Sequence, residues 1–174
     1  MTNDLLGWEG VRPLVPRLQR LLELARKRSV TVIFSSLAFC SNGADSGQLG
    51  KFWEQIGKGE VLVKGTQGVA ILPELSPRAG EQVLERNRYS AFFNSELDGM
   101  LREKGIETLI IGGYSTNFCC DSTARRWTRS PRPYVHRRSR AHARFSGDSP
   151  VSTKTDGLDG GGVNSNCRYR FLNC

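Results

Sequence analysis

Along residues 12–125, helix-period and strand-like apolar segments take turns, and this alternation constrains the fold more than any other feature. RPLVPRLQRLLELARKRS (12–29) places Leu14, Leu18, Leu21, Leu22 and Ala25 at helical spacing with Arg and Lys between them. Its Pro13 and Pro16 fit only a lead-in or a first turn. VTVIFSS (30–36) follows, β-branched and apolar, as a buried strand. QLGKFWEQIG reads as a short helix inside a long Gly-, Ser- and Asn-bearing loop, GTQGVAILPEL as loop, and EQVLER as a short strand. NSELDGMLREKG reads as a helix opened by a Ser95-x-x-Asp98 capping box and closed by Gly105. IETLIIGG is the next buried strand, and TNFCCDSTARRW opens another helix. The order predicts an α/β domain with a mainly parallel sheet and helices on both faces. In such sheets the sites lie at the C-terminal ends of the strands.

A chain of 174 residues suits one domain with a sizeable core. No apolar run is long enough to span a membrane, and the N-terminus carries no basic-then-apolar leader. Five cysteines with no CxxC do not make a disulfide framework, so reduced thiols in a cytoplasmic protein are expected. Residues 1–124 hold 14 basic and 14 acidic side chains, whereas residues 125–174 hold 11 basic and 3 acidic ones. The whole net charge of +8 therefore sits in the tail. That tail shows no sustained period of 2 or 3.6 and is dominated by Arg, Ser, Pro and Gly, a composition that predicts disorder over 126–174.

The stretch GGYSTNFCCDSTAR (112–125) occupies the strand-end position where a site is expected. A cysteine just after a strand, in the first turn of a helix, meets N–H groups and a positive dipole end that favour thiolate. Free cysteines are also among the residue types most often buried as packing, so position alone leaves both roles open. Cys119 and Cys120 point roughly 100° apart on a helix, so at most one faces the crevice.

RYSAFFNSELDGMLREKGIETLIIGGYSTNFCCDSTAR (88–125) resembles the isochorismatase-like cysteine hydrolases, a family that includes ureidoacrylate and N-carbamoylsarcosine amidohydrolases and nicotinamidases. The upstream segments LVPRLQRLLELARKRSVTVIF and KGTQGVAILPELSPRAGEQVLERNRYSAFF fit the same pattern, so the likeness covers about residues 1–125. KGTQG and RYSAFFNSELD lean toward the ureidoacrylate and carbamoyl members. The resemblance implies a three-layer α/β/α fold with Cys119 as nucleophile and Cys120 as its apolar neighbour. It further implies an oxyanion hole from the N–H groups of Ser115 and Cys119, and a cis peptide at Tyr114–Ser115. The substrate it implies is a small linear amide, ureido or carbamoyl compound, with no cofactor. It also implies self-association, with neither nucleic acid nor a membrane as partner.

Three departures accompany the likeness. The family's catalytic Asp lies in a motif whose Asn-Asp portion matches Asn3 and Asp4, which puts that Asp one residue before Met1, together with the strand that carries it. Asp4 lies too late in that motif to replace it. The family lysine falls on Arg86, whose planar guanidinium keeps the charge without the geometry of an ammonium. The alternative for Arg86 is a solvated surface residue. The likeness also stops at Arg125, and the Arg/Ser/Pro/Gly-rich continuation reads as a frameshift product, with Met1 as a late start. The loop SSLAFCSNGADSG holds no histidine, and His136 and His142 lie in the basic tail, so no metal site is expected.

These observations predict a sheet lacking its first strand and a late strand, with weak or absent activity. Two other functions compete. One is a vinyl-ether hydrolase, which needs no thiol nucleophile. The other is salt-sensitive, sequence-blind nucleic-acid binding by the tail, where arginines from Arg126 to Arg144 lie near Trp127, Tyr134 and Phe145.

Overall fold

The computed structural model describes residues 1–8, 10–128 and the strand 169–173. Helix α1 spans Val15–Lys27 behind a 3-10 turn at Arg12–Leu14, so Pro13 stands in the lead-in and Pro16 in the first turn. Val15, Leu18, Leu22 and Ala25 form its buried stripe. Strand β1 (Thr31–Leu37) follows, and its five central residues are all buried. A strand covered on both faces reads this way, as a run without alternation. Val32 and Phe34 pack with α1, Leu72 and Leu75 on one face. Ile33 packs on the other with Leu97, Leu101 and Ile106.

Between Leu37 and β2 (Gln82–Arg86) the chain makes two short helices, α2 (Gln48–Phe52) and α3 (Glu54–Gly57), and 3-10 turns at Gln67–Val69 and Pro73–Leu75. The stretch expected to be one short helix is thus broken at Trp53, whose backbone is extended. Ala38, Phe39, Ile56, Leu62 and Val69 give this segment a small core of its own. The N-terminal residues close over it: the Leu62 N–H donates to Asp4 Oδ2 at 2.6 Å. Gly68 backs onto that carboxylate so closely that a Cβ there would collide with it. Asp4 is therefore engaged in holding a loop.

Helix α4 (Leu97–Glu103) buries Leu97 and Leu101 and ends at Gly105, where φ is +58°. The expected capping box does not form. The helix begins one residue after Glu96, so Ser95 lies one residue outside the cap; its hydroxyl donates to the Ala91 carbonyl and accepts from the Leu97 N–H at 3.4 Å, and Asp98 pairs with Arg102 at 2.7 Å. Strand β3 (Thr108–Gly112) leads into a π-helical turn at Thr116–Cys120 and helix α5 (Asp121–Thr128).

The sheet holds one strand that the composition did not predict. Tyr169–Asn173, inside the segment expected to be disordered, form strand β4. It lies between β1 and β3, parallel to both, with Phe34 and Gly112 each opposite Asn173. The order is β2-β1-β4-β3 with every pairing parallel. β4 thus lies inside the sheet, and the sides of β1 and β3 that face it are paired. Residues 129–168, with His136 and His142 and most of the arginine-rich run, lie outside the described residues. No helix among the described residues is long and apolar enough to cross a membrane.

Candidate active site

The cysteine pair sits where β3 gives way to α5. After Gly112 the chain turns at Gly113, where φ is +136°, passes a cis Tyr114–Ser115 peptide bond, and enters the π-helical turn. The cis bond is at the expected position. The Ser115 carbonyl accepts from the N–H groups of Phe118 and Cys120 at 3.3 and 3.2 Å, and the Ser115 hydroxyl contacts Asn117 Oδ1 at 2.9 Å. These bonds tighten the segment that carries the proposed oxyanion donors.

Cys119 is 7% exposed and packs with Ile33, Ala91, Leu97, Leu101 and Ile106, whereas Cys120 is half-buried against the same group. The Cys119 turn is anchored by Thr123. Its fully buried hydroxyl donates to the Cys119 carbonyl at 2.7 Å and accepts from the Ala91 N–H at 3.0 Å. One hydroxyl thus ties the cysteine turn to the 88–94 segment. It went unremarked as a functional residue in the sequence, although it belongs to the Ser-Thr-Ala-Arg run that carries the resemblance.

Arg86 ends β2 opposite Leu37 of β1. It is 5% exposed, which excludes the surface alternative. Its Nε donates to Ser35 Oγ and its Nη1 to the Arg88 carbonyl, both at 2.6 Å. Side chains two apart on a strand share a face. Arg86 and Ser35 therefore extend the face on which Leu84 and Ile33 pack beside Cys119. Arg86 and Cys119 belong to the same layer and the same end of the sheet.

The other acidic groups in this region are held elsewhere. Asp45 accepts from the Cys40 N–H at 2.8 Å and from Lys64 Nζ at 2.9 Å. Burial opposes its ionisation, but the Lys64 ammonium and the contacts from Cys40 outweigh that and hold its pKa at about 2. Arg88 donates to the backbone carbonyls of Asp45 and Asn87 and lies 5.6 Å from the centre of the Phe93 ring.

An arc of aromatic side chains begins and ends on the cysteine loop. Tyr114 meets Trp8 edge-on at 6.2 Å, and Trp8 lies 5.5 Å from Trp53. Trp53 Nε1 donates to Tyr89 Oη at 3.1 Å, and Tyr89 stacks on Phe118 at 5.0 Å. Sequence reading could not find this arc, because its five members come from four separated places in the chain. The arc braces the cysteine loop at both of its ends, through Tyr114 and Phe118.

Comparison with known proteins places this geometry. The Isochorismatase domain profile matches residues 1–130. The chain is 34% identical over 136 residues to the ureidoacrylate amidohydrolase RutB of Yersinia enterocolitica, covering 70% of this chain and 59% of that protein. It is 31% identical to the Agrobacterium fabrum protein of the same name, covering 70% and 60%. The chain thus spans about three-fifths of the length of these curated relatives. Among solved structures, a cysteine hydrolase from Pseudomonas syringae superposes with a TM-score of 0.67 at 26% identity, covering 74% of this chain and 62% of that one. The N-carbamoylsarcosine amidase of Thermoplasma acidophilum superposes at 0.60 and 26%, covering 72% and 70%. A profile match over three-quarters of the chain, on an alternating parallel fold with the cysteine turn at the end of β3, establishes that this chain belongs to the isochorismatase family.

Proposed function

We propose that this chain is a cysteine hydrolase of C–N bonds in small linear amide, ureido or carbamoyl compounds, with Cys119 as nucleophile. The observation that supports this most is the cysteine turn: strand end, Gly113, the Tyr114–Ser115 cis bond and Cys119 follow one another without interruption. The names of the relatives, ureidoacrylate amidohydrolase and N-carbamoylsarcosine amidase, favour this bond type.

In the proposed reaction the Cys119 sulfur adds to the substrate carbonyl carbon as its thiol gives up a proton, and that proton is the one the departing amine carries away. The N–H groups of Ser115 and Cys119 hold the oxyanion, and the C–N bond breaks as the amine leaves with a proton. Water then cleaves the thioester, releasing the acid and restoring the thiol. Arg86 supplies positive charge on the same face of the sheet. A planar guanidinium fork is suited to holding an anion rather than to relaying protons. Asp4 and Asp45 are committed to the Leu62 and Cys40 N–H groups, and neither is assigned as the base. Low turnover is therefore expected.

The test is ammonia or amine release from ureido and carbamoyl acids by the purified chain. Cys119→Ala abolishes it and Cys120→Ala leaves most of it. Equal loss from both substitutions overturns the assignment of the nucleophile.

A further inference from the structure

Arg86 carries a charge into the protein without a partner of opposite sign. It is 5% exposed, and its two hydrogen bonds go to a hydroxyl and a backbone carbonyl. No carboxylate among the described residues forms an ion pair with it. Its Nη2 has no hydrogen-bond partner among the described residues. Nor is that nitrogen sealed in, because the fully enclosed side-chain polar atom that lacks a partner is Thr2 Oγ1. A buried cation left unpaired is costly, and a planar guanidinium with one edge open is shaped to receive a carboxylate.

We propose that Arg86 is a specificity residue that binds a carboxylate on the substrate. The substrate is then an amide or ureido acid, held with its carboxylate on Arg86 Nη2 and its scissile carbonyl toward Cys119. This rests on the function proposed above. Three features carry it. Ser35 and the Arg88 carbonyl fix two donors of the guanidinium, which orients the third. Arg86 lies on the face and at the sheet end shared with Cys119. Among the described residues Arg86 is the one buried arginine; half-buried Arg26 has its own carboxylate on Glu81, and half-buried Arg88 is held by two backbone carbonyls beside the Phe93 ring.

The experiment compares alkylation of Cys119 by iodoacetate, which bears a carboxylate, and by neutral iodoacetamide. In both, the thiolate displaces iodide, and peptide mapping reports each cysteine separately. Exposed Cys40 is the internal reference. The iodoacetate-to-iodoacetamide rate ratio at Cys119 is expected to exceed that at Cys40 by about tenfold or more, the scale of one hydrogen bond to a charged group. Arg86→Met brings the ratio down to the Cys40 value, and Arg86→Lys retains part of it. Should Arg86→Met not fold, the lysine variant and competition in the unaltered chain decide: acetate slows iodoacetate at Cys119, and acetamide does not. Equal ratios at the two cysteines, a ratio untouched by Arg86→Met, or a Cys119 inert to both reagents overturns the proposal. Because no turnover is required, a preserved ratio with no C–N hydrolysis defeats the proposed function and leaves this inference standing. Hydrolysis of neutral amides and amide acids at equal kcat/KM in both the unaltered chain and Arg86→Met does the reverse.

Discussion

Arg26 and Arg86 both turn inward, and the fold treats them in opposite ways. Arg26, near the end of α1, meets Glu81 with Nε at 2.8 Å and Nη2 at 2.7 Å, a two-point fork. Its Nη2 also donates to the Ser76 carbonyl, and Glu81 accepts from the Arg78 N–H. That cluster pins α1 to the approach to β2, and the arginine and the glutamate compensate each other's charge. Arg86, five residues after Glu81, has a hydroxyl and a carbonyl instead. A structural arginine is placed together with the charge that compensates it. An arginine held in position with its charge uncompensated is organised for something that comes and goes.

The largest expected effect tests the Arg86 side. Arg86→Met should lower kcat/KM for an amide acid by about 10- to 100-fold, the worth of a charged hydrogen bond. It should change folding stability by less than about 1 kcal/mol, because relief of a buried charge offsets two lost hydrogen bonds. Steady-state kinetics and urea unfolding on the same preparation read both. A stability loss as large as that expected for the Arg26 cluster would make Arg86 structural and erase the contrast.

The converse change is Glu81→Gln. It keeps the shape but removes the charge, leaving Arg26 partly unpaired with its side chain 14% exposed. A loss of about 1.5–3 kcal/mol in urea unfolding is expected, with kcat/KM unchanged. Loss of activity in the folded variant would mean that the Arg26 cluster reaches the site.

How much of this could be read beforehand follows from where the partners lie. α1 and β1 declared themselves because each buries a periodic or β-branched set of its own residues. β2 and β3 showed as short apolar runs between turns, yet β2 fully buries only Arg86, and β3, expected to be a buried strand, is half-buried with Ile110 exposed. Strand β4 did not declare itself. YRFLN earns its place through β1 and β3, more than 50 residues away along the chain, and it is embedded in a segment whose composition points to disorder. Arg86 was legible as a site position, but its burial was not, since its partner Ser35 sits on the neighbouring strand. The Ser95 box missed its register: the helix starts at Leu97 with Glu96 at the cap, and the Ser95 hydroxyl, which donates to the Ala91 carbonyl, reaches only the Leu97 N–H. Cys119 stood out because turn, strand end and nucleophile are contiguous. Thr123 and the aromatic arc needed contacts between distant segments.

Acid sharpens the comparison further. Burial pushes the Glu81 carboxyl toward its neutral form, but the Arg26 guanidinium and the Arg78 N–H outweigh it and leave the pKa below the usual glutamate value. A depressed folded pKa contributes stability that is present above the unfolded value, about 4.3, and is lost as pH falls from there through the folded value. Unfolding free energy should therefore drop between about pH 5 and pH 3, and Glu81→Gln should flatten that drop. Asp45, held at about 2, sustains a further decline at lower pH in both proteins. Arg86→Met should leave the pH 5 to 3 slope as it is, because no described carboxylate depends on Arg86. A flattened slope in that variant would reveal a carboxylate partner in the folded chain.

The smallest effect sets the lower end of the scale. Arg102 pairs with Asp98 one turn away on α4, at 2.7 Å, with side chains 58% and 38% exposed. Water and salt screen such a pair, and both side chains lose freedom in forming it. Arg102→Gln, which keeps helix propensity nearly constant, should cost about 0.5 kcal/mol or less, with no change in kcat/KM and none in the Cys119 alkylation ratio. Thermal unfolding at low and high salt checks this, since the small cost should shrink as salt rises. A larger cost would mean that α4, which buries Leu97 and Leu101 beside Cys119, draws on its surface charges to stay in place. The insensitivity of Arg86→Met stability to salt would then be the sharper mark of a buried charge whose partner is supplied from outside.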